Sequence, residues 1–252
     1  MDQKSLLKDL CFCLFFLLIL STPNYALGER SIINVNLNED KEKYLYHAIP
    51  MGGNADNKGD LAEIELFGTG DDLEYMSRVV SSRSIETINL RMDMEGRFIF
   101  GLRRVSNPQN RRLSHEEIRR DENRVYIERD LDGRHNLKQI DLPIDKTLAV
   151  DGSLLILLRS FPFNTDVKWN IIMVDFSGYS VTVRVHQSKV ENVVVQAGEF
   201  ECYRMEVVVG LPIIRPTLTY WLTTAEPHFL VKNIGKRGPF TSTYITSLVS
   251  TK

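Results

Sequence analysis

Cysteine is nearly absent from the part of this chain that can fold. The sequence holds three, and Cys11 and Cys13 sit in an N-terminal apolar run, which leaves Cys202 by itself. No internal disulfide can form beyond that run, so the fold must be held by its core. An excess of one charge is also lacking, since the formal net charge is −2. That balance argues against a general nucleic-acid binder. There is no GxSxG elbow for a serine nucleophile. Gly68-Thr69-Gly70 is a lone GxG with neither a third glycine nor a following helix, so it makes no nucleotide site. His47, His115, His135, His186 and His228 are scattered, without the i, i+4 spacing or the cysteine companions of a zinc site. The sequence therefore assigns no catalytic residue, no metal and no cofactor. Long apolar runs are missing too. Leu10 to Leu20 is unbroken for 11 residues, which as a helix spans about 16 Å at ~1.5 Å per residue, against roughly 30 Å of hydrocarbon.

What is present begins with that short run. Lys4 and Lys8 precede it, Ser21, Thr22 and Pro23 break it, and Ala26 offers a small residue for cleavage. This is the layout of a secretory signal peptide over residues 1–26. Its removal takes away Asp2, Lys4, Lys8 and Asp9 and leaves the net charge unchanged. The product is expected to be exported and periplasmic, with outer-membrane association open and no stable membrane span after cleavage. Residues 27–252 suffice for one β-rich domain.

The stretch Asp151 to Phe163, DGSLLILLRSFPF, reads as a short buried helix at about 152–160. Asp151 is positioned to cap it, five apolar residues follow without a polar break, and Pro162 ends it. A helix apolar nearly all round is a buried one, and Arg159 is its single charge. Elsewhere apolar residues alternate. Tyr44, Tyr46 and Ala48 share one strand face, as do Ile88, Leu90 and Met92, then Phe98, Phe100 and Leu102. MGGNADNKG, residues 51–59, is a turn-rich connection. Nine arginines interleave with acids between Arg103 and Arg134, which reads as a solvated strand pair with a polar loop. The apolar phase slips between Cys202 and Tyr203, which suggests a β-bulge there. About a dozen strands and one helix predict an all-β, mainly antiparallel fold, a single barrel-like or clam-like curled sheet.

Three stretches carry a family resemblance. They are DGSLLILLR at 151–159, VVVQAGEFECY at 193–203 and YWLTTAEPHFLVK at 220–232. In that order and spacing the chain resembles domain-of-unknown-function family 3108, a group of exported bacterial envelope proteins, over about residues 43–248. The resemblance implies a periplasmic β-rich fold with no established activity. Its motifs are structural, and they single out Asp151, Gly198, Phe200, Cys202, Trp221 and Pro227 as scaffold.

Arg159 is the residue to weigh as a site. Burying a guanidinium without a partner costs several kcal/mol, so it needs an acid, with Asp151, Glu199 and Asp175 as candidates. Alternatively it anchors a ligand, with Leu157 and Phe161 lining the apolar part. Cys202 reads as a buried, inert thiol. Three functions follow: a non-enzymatic binding or envelope-assembly module, a lipid or lipoprotein carrier, or a hydrolase using Glu199 and Glu201 with Asp175. The partners these imply are a lipid, a glycan or an envelope protein.

Overall fold

The computed structural model describes residues 41–51, 59–131, 133–143, 146–211, 215–236 and 242–251. The expected signal peptide and most of the 51–59 connection lie outside the described residues. Fifteen strands form one sheet: β1 (Lys41–Pro50), β2 (Asp60–Thr69), β3 (Asp72–Val80), β4 (Ile85–Asp93), β5 (Phe98–Ser106), β6 (Arg112–Asp121), β7 (Arg124–Leu131), β8 (Arg134–Asp141), β9 (Thr147–Val150), β10 (Trp169–Val174), β11 (Ser180–Val195), β12 (Gly198–Val209), β13 (Thr217–Thr223), β14 (Leu230–Lys236) and β15 (Thr243–Thr251). A single described helix, α1 (Ser153–Arg159), follows β9.

The strand order is β8-β7-β6-β5-β4-β3-β2-β1-β15-β14-β13-β12-β11-β10-β9. It is two meanders fused where β1 pairs with β15. Strands adjacent in sequence pair antiparallel, as directly connected neighbours do. The exceptions are β8 and β9, which do not pair, and β9 with β10, which are parallel. A parallel pair needs a long crossover, and residues 151–168 provide it. That requirement is why a helix interrupts an otherwise all-β chain.

The sheet is all-β, curled and open: β8 and β9 are its two edges, so the clam-like form holds and no closed barrel is made. Chain connectivity enforces the curl. β8 ends at Asp141 and β9 begins at Thr147, and six Cα steps reach at most about 22 Å. The end of β8 and the start of β9, at opposite edges of a fifteen-strand sheet, must therefore lie within that distance. α1 fills the space within the curl. Leu154, Ile156, Leu157 and Leu158 are buried in one continuous core with Tyr46, Leu90, Ile118, Ile127, Phe176 and Met205. Gly152 lies flat on Tyr75, where a Cβ would sit 2.4 Å from the ring. No side chain fits between turn and ring at that point.

Four local expectations are corrected. Asp151 does not cap α1. Gly152 holds the N-cap position without a side-chain bond, while the Ser153 hydroxyl accepts from the Val150 N–H at 2.7 Å. Phe98, Phe100 and Leu102 do not share a face, because a register shift opposite Arg91 and Met92 leaves Ile99 unpaired and turns Phe98 inward. The 103–134 stretch is more than a strand pair with a polar loop: it holds the last four residues of β5, all of β6 and β7, and the first residue of β8. The phase slip at Cys202 is not a bulge in β12, since the register shift lies in β11 at Ser188. β12 is instead covered on both faces there. Tyr203 and Met205 join the main core, and Cys202 joins a small outer cluster with Val193, Trp221 and Val231.

Candidate functional site

β1 and α1 bring together the first candidate group. Glu42, Tyr44, Tyr46 and Ala48 occupy alternate positions of β1 and all are buried, so Glu42 faces the core. The Arg159 Nη2 stands 2.8 Å from Glu42 Oε2 and donates to the Tyr44 hydroxyl at 2.9 Å. The Tyr44 hydroxyl donates in turn to Glu42 Oε2 at 2.8 Å. Both ionic side chains are 6% exposed. The acid that Arg159 meets is thus Glu42, not Asp151, Glu199 or Asp175. Burial, opposed by the guanidinium and reinforced by Glu42, holds the Tyr44 phenol well above its ordinary range. It stays protonated and serves as a hydrogen-bond relay, not as a base. Arg159 Nη1 is buried without a hydrogen-bond partner among the described residues.

Leu157 and Phe161 lie in the same core, at 0% and 3% exposure. Phe161 meets Trp169 edge-on at 5.0 Å between centroids, and Phe163 stacks on Tyr203 at 4.1 Å. Side chains of the protein therefore cover both residues.

A second charged group crosses the concave face of β4 to β7 beside the start of α1. Arg103 Nε donates to Glu86 Oε1 and its Nη1 to Glu116 Oε2, each at 2.7 Å. Arg129 reaches Glu116 Oε1 from Nε at 3.1 Å and from Nη2 at 3.0 Å. Glu116 is buried and bridges two guanidinium groups, the arrangement that makes burial of a carboxylate tolerable. Asp151 stands close to this ladder at φ 39°. Burial pushes its carboxyl up to about 7, helped by Asp175, Glu86 and Glu116 and opposed by Arg103. Glu116 was legible as an inward position, since it shares parity with Ile118. Its arginine partners on two other strands were not.

The acids considered for hydrolysis do not meet. Asp175 accepts from the Ser177 hydroxyl and from the N–H groups of Ser177 and Tyr179 in the β10–β11 turn. Glu201 binds the Thr224 hydroxyl at 2.8 Å and pairs with Asn192, twelve positions along β11 from Ser180. Glu199 accepts from Asn192 on the exposed surface. His186 is not simply solvated, because its Nε2 stands 3.6 Å from Glu206. His228 packs on Phe163 at 4.7 Å, beside the cis Glu226–Pro227 peptide.

The scaffold residues sit as follows. Gly198 opens β12, and Phe200 packs edge-on against Phe229 at 5.6 Å. Trp221 donates to Glu191 Oε1 at 2.8 Å and lies under Arg204 and Lys232. Cys202 is buried, and burial with Glu191 and Glu201 nearby pushes its thiol up to about 12. On the outer surface a groove of about 290 Å³ lies between β1, β15 and the β11–β12 tip, lined by His47, Ile49, Gln196, Ile245 and Leu248 among others. Among the described residues, no helix is long and apolar enough to cross a membrane.

No family model matches this chain, and no curated protein does. Solved structures of low similarity do. A candidate lipoprotein from Parabacteroides distasonis ATCC 8503 is 10% identical, with 88% of this chain and 100% of that chain covered, at a TM-score of 0.35. A candidate exported protein with a YmcC-like fold, from Bacteroides fragilis NCTC 9343, is 11% identical over 85% of this chain and 97% of that one, at a TM-score of 0.36. The hypothetical lipoprotein YmcC from Escherichia coli K12 is 9% identical over 83% of each chain, at a TM-score of 0.32. What this chain is similar to, at that low level, is a set of exported or lipoprotein candidates.

Proposed function

We propose that this protein is an exported, periplasmic and non-enzymatic member of the cell envelope, a binding or assembly module of the family 3108 type. Its partner is an envelope protein or glycan met at the surface. One observation carries the reading: α1 and its core neighbours fill the interior of the curl, with Leu154, Ile156, Leu157 and Leu158 at 2% exposure or less. A lipid carrier needs that space for cargo. A hydrolase of envelope polymers needs two carboxylates at one cleft, and Asp175, Glu199 and Glu201 are each engaged elsewhere. Export rests on the basic start, short apolar run and small residue of positions 1–26.

Native mass spectrometry of the protein purified from its own envelope tests both parts. The expected mass is that of the bare polypeptide lacking residues 1–26. A stoichiometric lipid carried through purification would overturn the filled-scaffold reading in favour of a carrier. Intact residues 1–26 would overturn the export reading and leave the first untouched.

A further inference from the structure

The two edges of the sheet differ. β9 has four residues, three of them buried, and is parallel-paired on one side. β8 has eight residues, seven of them exposed, and pairs with β7 alone among the described residues. Leu137, at its middle, is 61% exposed. A long open edge is a template for another strand, and proteins commonly guard one with a lysine. The lysine of β8 is not on guard. Lys138 donates to the Gly178 carbonyl and lies over the Tyr179 ring at 5.7 Å, so its charge is drawn to the inner face.

The hydrogen-bond phase of β8 decides what can pair with it. Leu131 and Arg134, with two residues between them in the chain, face each other across the β7–β8 pair. A two-residue hairpin closes on a hydrogen-bonded pair, and such pairs alternate along the ladder. Arg134, Asn136 and Lys138 therefore bond to β7, while His135, Leu137 and Gln139 turn their N–H and C=O groups to the free edge. A second β8 running antiparallel must match outward residues with outward residues. Three registers do this near the middle of the strand. Centring on Asn136 sets Arg134 against Lys138 twice, and centring on Lys138 sets two lysines against each other; like charges directly opposed are destabilising. Centring on Leu137 opposes no like charges. It pairs Leu137 with Leu137, His135 with Gln139 and Asn136 with Lys138.

We infer that β8 is a self-association edge, through which two copies of this chain join antiparallel about a two-fold axis at Leu137. The closed two-fold form suits a homodimer. A single strand pair buries less than the roughly 1,200 Å² of a standard stable interface, so the dimer is concentration-dependent.

Sedimentation of the purified protein over a range of concentrations should show a two-chain mass that falls to one chain on dilution. Leu137→Pro removes an N–H that faces the edge and costs no bond to β7. It should give one-chain mass at every concentration with an unchanged circular dichroism spectrum. Leu137→Cys tests the register without relying on proline: mild oxidation should yield a covalent dimer, because Cα atoms about 5.5 Å apart can be bridged. Gln139→Cys, facing His135, should not cross-link. A one-chain mass throughout overturns the inference. So does cross-linking at Gln139→Cys equal to that at Leu137→Cys, or a Leu137→Pro protein that still dimerises.

Discussion

Asp151→Asn should stabilise this protein, and by an amount that depends on pH. Asp151 sits in the β9–α1 turn at φ 39°, a conformation that Asn adopts as readily as Asp. Its side chain makes no cap to α1, so the substitution removes charge and little else. Burial holds the native carboxyl up at about 7, against an ordinary value of 3.8. Between those values the unfolded chain has released the proton and the folded chain has kept it. Stability of the parent therefore falls by about 1.4 kcal/mol per pH unit through this window, as linkage requires when the native state binds more protons. The whole effect is at most about 4 kcal/mol, fully developed above pH 7 and absent below pH 4. Urea denaturation at intervals from pH 4 to pH 8 measures it without adding salt that would screen the ladder. The variant should match the parent near pH 4 and exceed it increasingly toward pH 8. Parallel curves for the two proteins, or an Asn variant weaker at pH 8, would refute the placement of Asp151 beside the Glu86–Arg103–Glu116 ladder.

Three further outcomes follow from the core. Leu157→Ala should cost about 2–5 kcal/mol, as deletion of a fully buried leucine does, with melting temperature the readout; a change under about 1 kcal/mol would mark α1 as a lid instead. Arg159→Met should cost about 3–5 kcal/mol by leaving the Glu42 carboxylate buried without its guanidinium, and adding Glu42→Gln to the same chain should recover much of that loss in a double-mutant cycle. Cys202 should react slowly with a thiol reagent in the folded protein and quickly in urea, and rapid labelling of the native state would contradict its burial.

Period and punctuation carried much of the architecture. Alternation in Tyr44, Tyr46 and Ala48, and in Ile88, Leu90 and Met92, marks strands because successive side chains in a pleat point to opposite faces. The apolar run 154–158 closed by Pro162 marks a buried helix for the same geometric reason at a different period. Those signals are local, and the all-β class with one helix follows from them.

Pairing across the sheet was decided by the tertiary structure. Glu42 is 117 positions from Arg159, and no spacing rule links them; they meet because α1 crosses inside the curl and lands on β1. Arg103, Glu116 and Arg129 look like a solvated run in sequence. Stacked on three strands, they become a ladder around one buried carboxylate. The slip at Cys202 has the same lesson. Read along one strand it resembles a bulge, but a strand covered on both faces gives the same pattern, and only its neighbours tell the two apart. By itself the sequence determined the class of element at each stretch, because backbone geometry sets the period. The identity of every long-range partner, and the filling of the interior that bears on function, came from how a fifteen-strand sheet is forced to curl when a short link joins its two edges.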